Sequence, residues 1–252
     1  MRTSRKLEVA VISFLIFTLS SSPLMLGKSR FNLAFAADEQ NLEPEGAPAA
    51  PTINDPHEQF NRGVFEFNDR LYFYALKPAA VLYSVLLPKG FREAIQRGFH
   101  NVVFPCRWVN LTLQGKSDKA VNETLRFLIN STLGLAGLFD FAQTQFGLEN
   151  HEADFGQTLA LWGVGPGDFL MLPILGPSDP RDLFGYGVDT VMDPLFWLPV
   201  DWWITFSAQS GKFINAASLR IGQYEELKQA SLDPYIGMRD AYIQYREHLV
   251  TK

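Results

Sequence analysis

The sequence predicts a mainly α-helical protein with a single folded domain. Three observations carry this. Apolar residues recur at spacings of three and four along most of residues 55–250. Gly and Pro cut that region into short segments. There is no strong period-2 run and no internal repeat. The 252 residues, 47% hydrophobic and 13% aromatic, supply ample apolar material for one large core.

The N-terminus reads as an export signal. Arg2, Arg5 and Lys6 precede an uncharged apolar run from Val9 to Gly27, and Ala34-Phe35-Ala36 offers a small-x-small cleavage site. Cleavage near Ala36 or Ala37 is the expectation, with an uncleaved anchor as the alternative, because the run is long and Lys28 and Arg30 follow it. Residues 1–36 are assigned as signal, 37–54 as a flexible linker rich in Pro, Ala and Glu, and 55–252 as the folded domain. The net charge is −5, and residues 1–36 carry +4 of it, which leaves −9 for the remainder. An acidic chain is a poor partner for nucleic acid. The single cysteine, Cys106, excludes an intrachain disulfide and reads as a small buried apolar residue.

The helices follow in order. Asp55-Pro56-x-Glu58 looks like a capping box. Phe60, Val64, Phe67, Leu71 and Tyr74 then form one apolar face that Lys77-Pro78 ends. A second helix carries Phe91, Ile95, Phe99 and Val102, stopped by Pro105, and Arg107–Gln114 adds a short one. Ser117 or Asp118 caps a helix to Thr132 with Val121, Leu125, Leu128 and Thr132 aligned. One more short helix is expected around Leu138–Gln145.

Residues 154–178 are strongly apolar yet broken by Gly163, Gly165, Pro166, Gly167, Pro173, Gly176 and Pro177. That density excludes one long element. It suits a short hairpin buried in a soluble core, or a broken segment at a lipid boundary. In the lipid case, Asp168 must lie at a turn, in a channel or at the aqueous surface. Ser178 or Asp179 then caps a helix to Met192. Helices over 207–229 and from Asp233-Pro234 to the end complete the chain.

Catalytic and metal signatures are weak. The four histidines show no i, i+4 pair, and HExxH, CxxC and G-x-S-x-G are absent. No metal site and no cofactor are expected. His151-Glu152-x-Asp154 is the most polar local cluster and reads as a solvated turn. Membrane signals are stronger. After the signal no run reaches the roughly 18 uncharged residues of a span. Trp162, Trp197, Trp202 and Trp203 fall close together, as candidates for a membrane interface. A Trp-rich soluble core is the competing reading.

Several blocks resemble the MlaA (VacJ) family of outer-membrane phospholipid-transport proteins. They are Asp55-Pro56-x-Glu58-x-Phe60-Asn61-Arg62, Phe67-Asn68, Lys77-Pro78, Asn110 with Leu113-Gln114-Gly115, and Arg126-Phe127-x-x-Asn130-Ser131-Thr132. Gly137-x-Phe139-Asp140, Asp154-Phe155-Gly156-Gln157-Thr158-Leu159, Leu175-Gly176-Pro177-Ser178, Arg181-Asp182 and Ser231-x-Asp233-Pro234-Tyr235 continue the match, which covers residues 55–250.

The resemblance implies a non-enzymatic protein, a ring-like bundle of short amphipathic helices embedded at the outer membrane of a Gram-negative cell. It implies an amphipathic channel that removes mislocalised phospholipids from the outer leaflet. A periplasmic lipid-carrier protein then takes them toward the inner membrane, and a trimeric porin is the membrane partner. Phe60, Asn61, Arg62, Asp154, Phe155, Gly156, Gln157 and Thr158 are motif positions that either line the channel or serve structure. Lys77 and Arg126 could attract a lipid phosphate, with solvated surface charge as the alternative. Many family members are lipoproteins with a cysteine just after the signal. None stands there in this sequence, so attachment through the fold and the porin, or a start other than Met1, is expected. A porin-associated scaffold with no lipid path and a lipid-cleaving enzyme are the competing functions.

Overall fold

Phe60, Phe67 and Tyr74 do share a helical face, but they stand exposed, while Asn61 beside them is completely buried. This inversion recurs through the molecule. The computed structural model describes residues 55–197 and 199–251, and of Trp202 only the backbone. The expected signal and linker lie outside the described residues.

Helix α1 (Glu58–Leu71) passes through a π-helical segment (Tyr72–Leu76) into α2 (Lys77–Leu86). Lys77-Pro78 was expected to end the helix. Instead Pro78 falls in the first turn of α2, where its missing N–H costs little, and the chain breaks at Leu87-Pro88. The expected capping box does not form either. His57 holds the cap position without a side-chain bond, Glu58 pairs with Arg62, and Asp55 reaches Asn61 and Tyr235.

Helix α3 (Lys89–Val102) and α4 (Phe104–Leu113) follow, with Pro105 opening α4 and not stopping α3 beyond Val102. In α5 (Ser117–Thr132), Val121, Leu125 and Leu128 face outward. Ala120, Glu123, Arg126 and Asn130 form the buried face. α6 (Phe141–Phe146) is capped by Asp140, whose carboxylate accepts from the Gln143 amide at 3.2 Å.

The Gly- and Pro-broken stretch divides into α7 (Phe155–Leu161), a turn, and an antiparallel pair, β1 (Leu170–Leu172) and β2 (Gly176–Ser178). Met171 stands opposite Pro177 in that pair. Gly163 and Gly167 take positive φ, so they do serve turns. Asp168 lies at a bend on the surface, 3.5 Å from His57.

Asp179 caps α8 (Pro180–Met192) by accepting from the Asp182 amide at 2.8 Å, as its sequence signature predicts. The helix expected over 207–229 is two, α9 (Trp202–Ser218) and α10 (Gln223–Ala230). The break falls at Gly222, whose φ of +101 no regular helix holds. α11 (Pro234–Thr251) closes the chain.

Apolar packing is confined to small clusters. Phe169 and Met171 of the hairpin region meet Tyr235 and Tyr242 of α11, with Val64 and Phe65 against them. Leu111, Ala120 and Ala153 form a second cluster. Among the described residues, 21 buried side chains are polar or charged and 13 are apolar. That ratio is the reverse of a soluble core, where apolar groups are inside and charges outside. No single described helix is long and apolar enough to cross a membrane. The bent pair Glu58–Leu86 and Lys89–Val102, at 112°, reaches that length and composition together.

Candidate functional site

The buried polar faces of α3, α4, α5, α7, α8, α9 and α11 meet around one cavity of about 390 Å³. Eight carboxylate side chains and five from Lys or Arg line it. Charges survive burial only when paired or hydrogen-bonded, and most of these are.

On the α5 side, Glu123 is 1% exposed and accepts from Arg107 at 3.1 Å and from the His151 amide at 2.9 Å. Arg126 holds Asp140 with both oxygens, at 3.0 and 2.9 Å, and Asn130 donates to the same carboxylate at 2.9 Å. Although burial pushes the Asp140 carboxyl up, Asn130 and Arg126 hold it below the usual range. Arg126 is therefore no surface charge; it is an interior strut.

On the opposite side, Arg246 of α11 grips Asp154 at 2.7 and 3.1 Å and also reaches Asp182. Burial would raise Asp154, but Arg246 outweighs it and keeps the carboxylate ionised at neutral pH. Tyr242 brings its hydroxyl within 2.8 Å of Asp182 and 3.0 Å of Asp179. Burial, helped by the neighbouring Asp182 charge, lifts Asp179 to about 6.

A third group is less complete. Asp189 accepts from Asn110 at 2.8 Å and from the Phe155 amide at 2.9 Å. Burial first, then repulsion from Asp154, raises its carboxyl to about 7. Asp193 accepts from the Leu195 amide at 2.9 Å. Among the described residues neither carboxylate has a cation within 4 Å, nor has Lys212 a carboxylate. Burial lowers the Lys212 pKa. Cys106 is buried as expected, and burial with the nearby Asp189 and Asp193 charges pushes its thiol up to about 12. It stays protonated and is a poor nucleophile.

The arrangement therefore offers a small amphipathic chamber, charged groups set among apolar ones such as Phe99, Phe127 and Leu249, wrapped by helices with apolar outer faces. Leu82, Val85, Leu86, Leu125, Leu128, Trp162, Trp197 and Trp203 are all exposed. Among the described residues no His, Cys, Asp and Glu group could hold a metal ion.

The sequence model of the MlaA lipoprotein family matches residues 53–249. The chain belongs to the MlaA family. It is 34% identical over 196 residues to the intermembrane phospholipid transport system lipoprotein MlaA of Haemophilus influenzae, covering 76% of this chain and 77% of that one. The corresponding Escherichia coli protein is 31% identical over 207 residues, with 78% of each chain covered. A Rickettsia bellii relative reaches 36% over 200 residues, with 77% and 76% covered. A solved structure concerned with maintenance of bacterial outer membrane lipid asymmetry superposes at a TM-score of 0.69. It shares 32% identity and covers 78% of this chain and 99% of the other.

The motif positions of this MlaA-family chain separate clearly. Asn61 donates to the Phe169 carbonyl and accepts from the Met171 amide, at 3.0 and 2.8 Å, so it ties α1 to the hairpin. Arg62 lies on the surface between Glu58 and Asp233, both at 2.7 Å. Phe155 packs edge-on to Trp162, with ring centres 6.0 Å apart. Gln157 and Thr158 are buried; Gln157 donates to Asp154 at 2.9 Å and Thr158 to Asn110 at 2.9 Å. Asp154 and Gln157 line the cavity; Phe60, Asn61, Arg62, Phe155, Gly156 and Thr158 do not.

His151, Glu152 and Asp154 turn to three separate partners, Glu123, His100 and Arg246. They do not pair with one another, although Glu152 and Asp154 both line the cavity. Sequence reasoning missed Glu123, Asp189, Asp193 and Lys212 as cavity residues. The available signal was the polar face of α5, where Glu123, Arg126 and Asn130 repeat at helical spacing opposite the apolar stripe.

Proposed function

We propose that this protein removes mislocalised phospholipids from the outer leaflet of the outer membrane through its central chamber. It hands them to a periplasmic carrier for return to the inner membrane, which maintains lipid asymmetry. The carrying observation is the inversion of polarity: ion-paired interior, apolar and Trp-bearing exterior. A lipid headgroup requires the first, and its acyl chains and the surrounding bilayer require the second. The MlaA relatives, intermembrane phospholipid transport system lipoproteins by name, support the same reading.

In this reading residues 1–36 direct export, 37–54 are a linker and 55–252 form the membrane-embedded body. Trp162, Trp197 and Trp203, all exposed, sit near the headgroup level. A trimeric porin holds the ring on the periplasmic side of the outer membrane. Asp154 and Gln157 act at the cavity wall, while Asn61, Gly156 and Thr158 hold the frame.

Deletion of the gene tests this. Outer-leaflet phospholipid and detergent sensitivity should rise while porin levels stay normal. Unchanged surface phospholipid would leave only a scaffold role.

A further inference from the structure

The chamber is richer in carboxyl groups than in cations. Its eight carboxylates outnumber its five Lys and Arg cations. The excess is local. Glu123 and Asp140 are answered by arginines, and Arg246 answers Asp154 and Asp182. Asp189 and Asp193, on successive turns at the end of α8, have only neutral donors.

A second, independent feature lies on α9. Asn215 is 1% exposed and lines the same chamber. Its amide nitrogen donates to the Arg92 carbonyl at 3.0 Å, but its Oδ1 has no hydrogen-bond partner among the described residues. A buried acceptor left unmet is costly unless something donates to it. Lys212, one turn earlier on α9, also lines the chamber and feels the Asp193 charge. Unanswered acceptors therefore stand close to one unpaired cation. That is the complement of a zwitterion, a donor-rich ammonium beside an acidic phosphate.

We propose, on the footing of the lipid-transport reading above, that the chamber discriminates by headgroup, favouring phospholipids that carry a primary ammonium over wholly anionic ones. Asp193, Asp189 and Asn215 receive the ammonium and Lys212 the phosphodiester. An anionic lipid gains the Lys212 contact but brings no donor cation for the carboxylates.

The test uses the full chain purified in detergent and equilibrated with vesicles of equal phosphatidylethanolamine and phosphatidylglycerol. Retained lipid is then quantified by mass spectrometry. Wild type should retain phosphatidylethanolamine with an enrichment of about threefold or more, the lower end of what one ordinary net hydrogen bond supplies. Asp193→Asn keeps the oxygen that meets the Leu195 amide and should bring the ratio close to one. Asp189→Asn is the second variant, expected to shift the ratio the same way, with the thermal midpoint recorded for both. Lys212→Gln should lower retention of both lipids and leave the ratio less changed. Retention in the vesicle ratio, or enrichment of phosphatidylglycerol, overturns the discrimination and leaves the transport reading standing. Retention of neither lipid overturns both.

Discussion

Arg246 and Asp154 meet through two parallel hydrogen bonds, 2.7 and 3.1 Å long, that join the last helix to the cap of α7. The Asp154 carboxylate simultaneously accepts from the Gln157 amide at 2.7 Å. One carboxylate thus starts a helix and anchors the C-terminal helix to it. The Arg246 guanidinium is buried, so its removal leaves Asp154 as an uncompensated interior charge, while Asp182 keeps Arg181 at 2.9 Å. Arg246→Met should cost about 3–5 kcal/mol, read by urea unfolding in detergent. Arg246→Lys cannot make both bonds and should fall between. A loss under 1 kcal/mol for Arg246→Met would show that water reaches these carboxylates.

Much of this frame was legible beforehand, and the reason it stops is physical. The signatures of α8, Asp179-Pro180 at the start and Asp193-Pro194 at the end, are local, and the helix has those bounds. The break in α9–α10 at Gly222 went unread, because a lone glycine in an apolar-periodic run gives no sign of its φ. The apolar stripes of α1 and α5 were visible, but their direction was not. Periodicity says that a face exists; only the partner across it says which side is inside. Arg126 illustrates the cost: as an isolated arginine it reads as surface charge, and only Asp140, fourteen residues on, places it in the interior.

Asn61 should be as indispensable as a core residue. It is wholly buried and satisfies both a carbonyl and an amide of the hairpin region. Asn61→Ala strands the Phe169 carbonyl and the Met171 amide away from water. The expected loss is about 2–4 kcal/mol, with faster proteolysis between residues 169 and 178. Phe60→Ala, beside it on the chain but exposed, should leave unfolding in detergent almost unchanged.

Stability should fall as pH rises between about 4 and 7. Asp189 is raised to about 7 in the folded protein, while the unfolded chain titrates near its ordinary value of 3.8. Between these values the folded state binds more protons than the unfolded one. The contribution is therefore fully present below about 4 and lost by about 7. Asp179, lifted to about 6, adds to the same slope. Asp154, held low by Arg246, acts oppositely and at lower pH: its contribution is present above 3.8 and lost in stronger acid. Chemical unfolding of wild type and Asp189→Asn at pH 5 and pH 8 measures this. The variant should show a shallower fall between the two pH values than wild type. Equal slopes would place the Asp189 titration outside this window.

The crossing of α7 and α8 depends on two glycines that touch. A Cβ on Gly185 would stand 2.4 Å from the Gly156 amide nitrogen and 2.8 Å from its Cα, both backbone atoms that cannot swing away. A Cβ on Gly156 would stand 2.4 Å from an Asp182 oxygen and 2.7 Å from an Arg246 nitrogen. Either alanine must part the helices or displace the ion pair. Gly185→Ala should cost about 1–3 kcal/mol by forcing the backbones apart. Gly156→Ala should cost a similar amount through the displaced charges. Gly187→Ala provides the internal control, since nothing lies within 4 Å of its Cβ. In mid-helix it should be neutral or stabilise by up to about 1 kcal/mol. Thermal midpoints of the three variants decide the matter. If Gly185→Ala tracks Gly187→Ala, the two helices do not meet as closely as their glycines indicate.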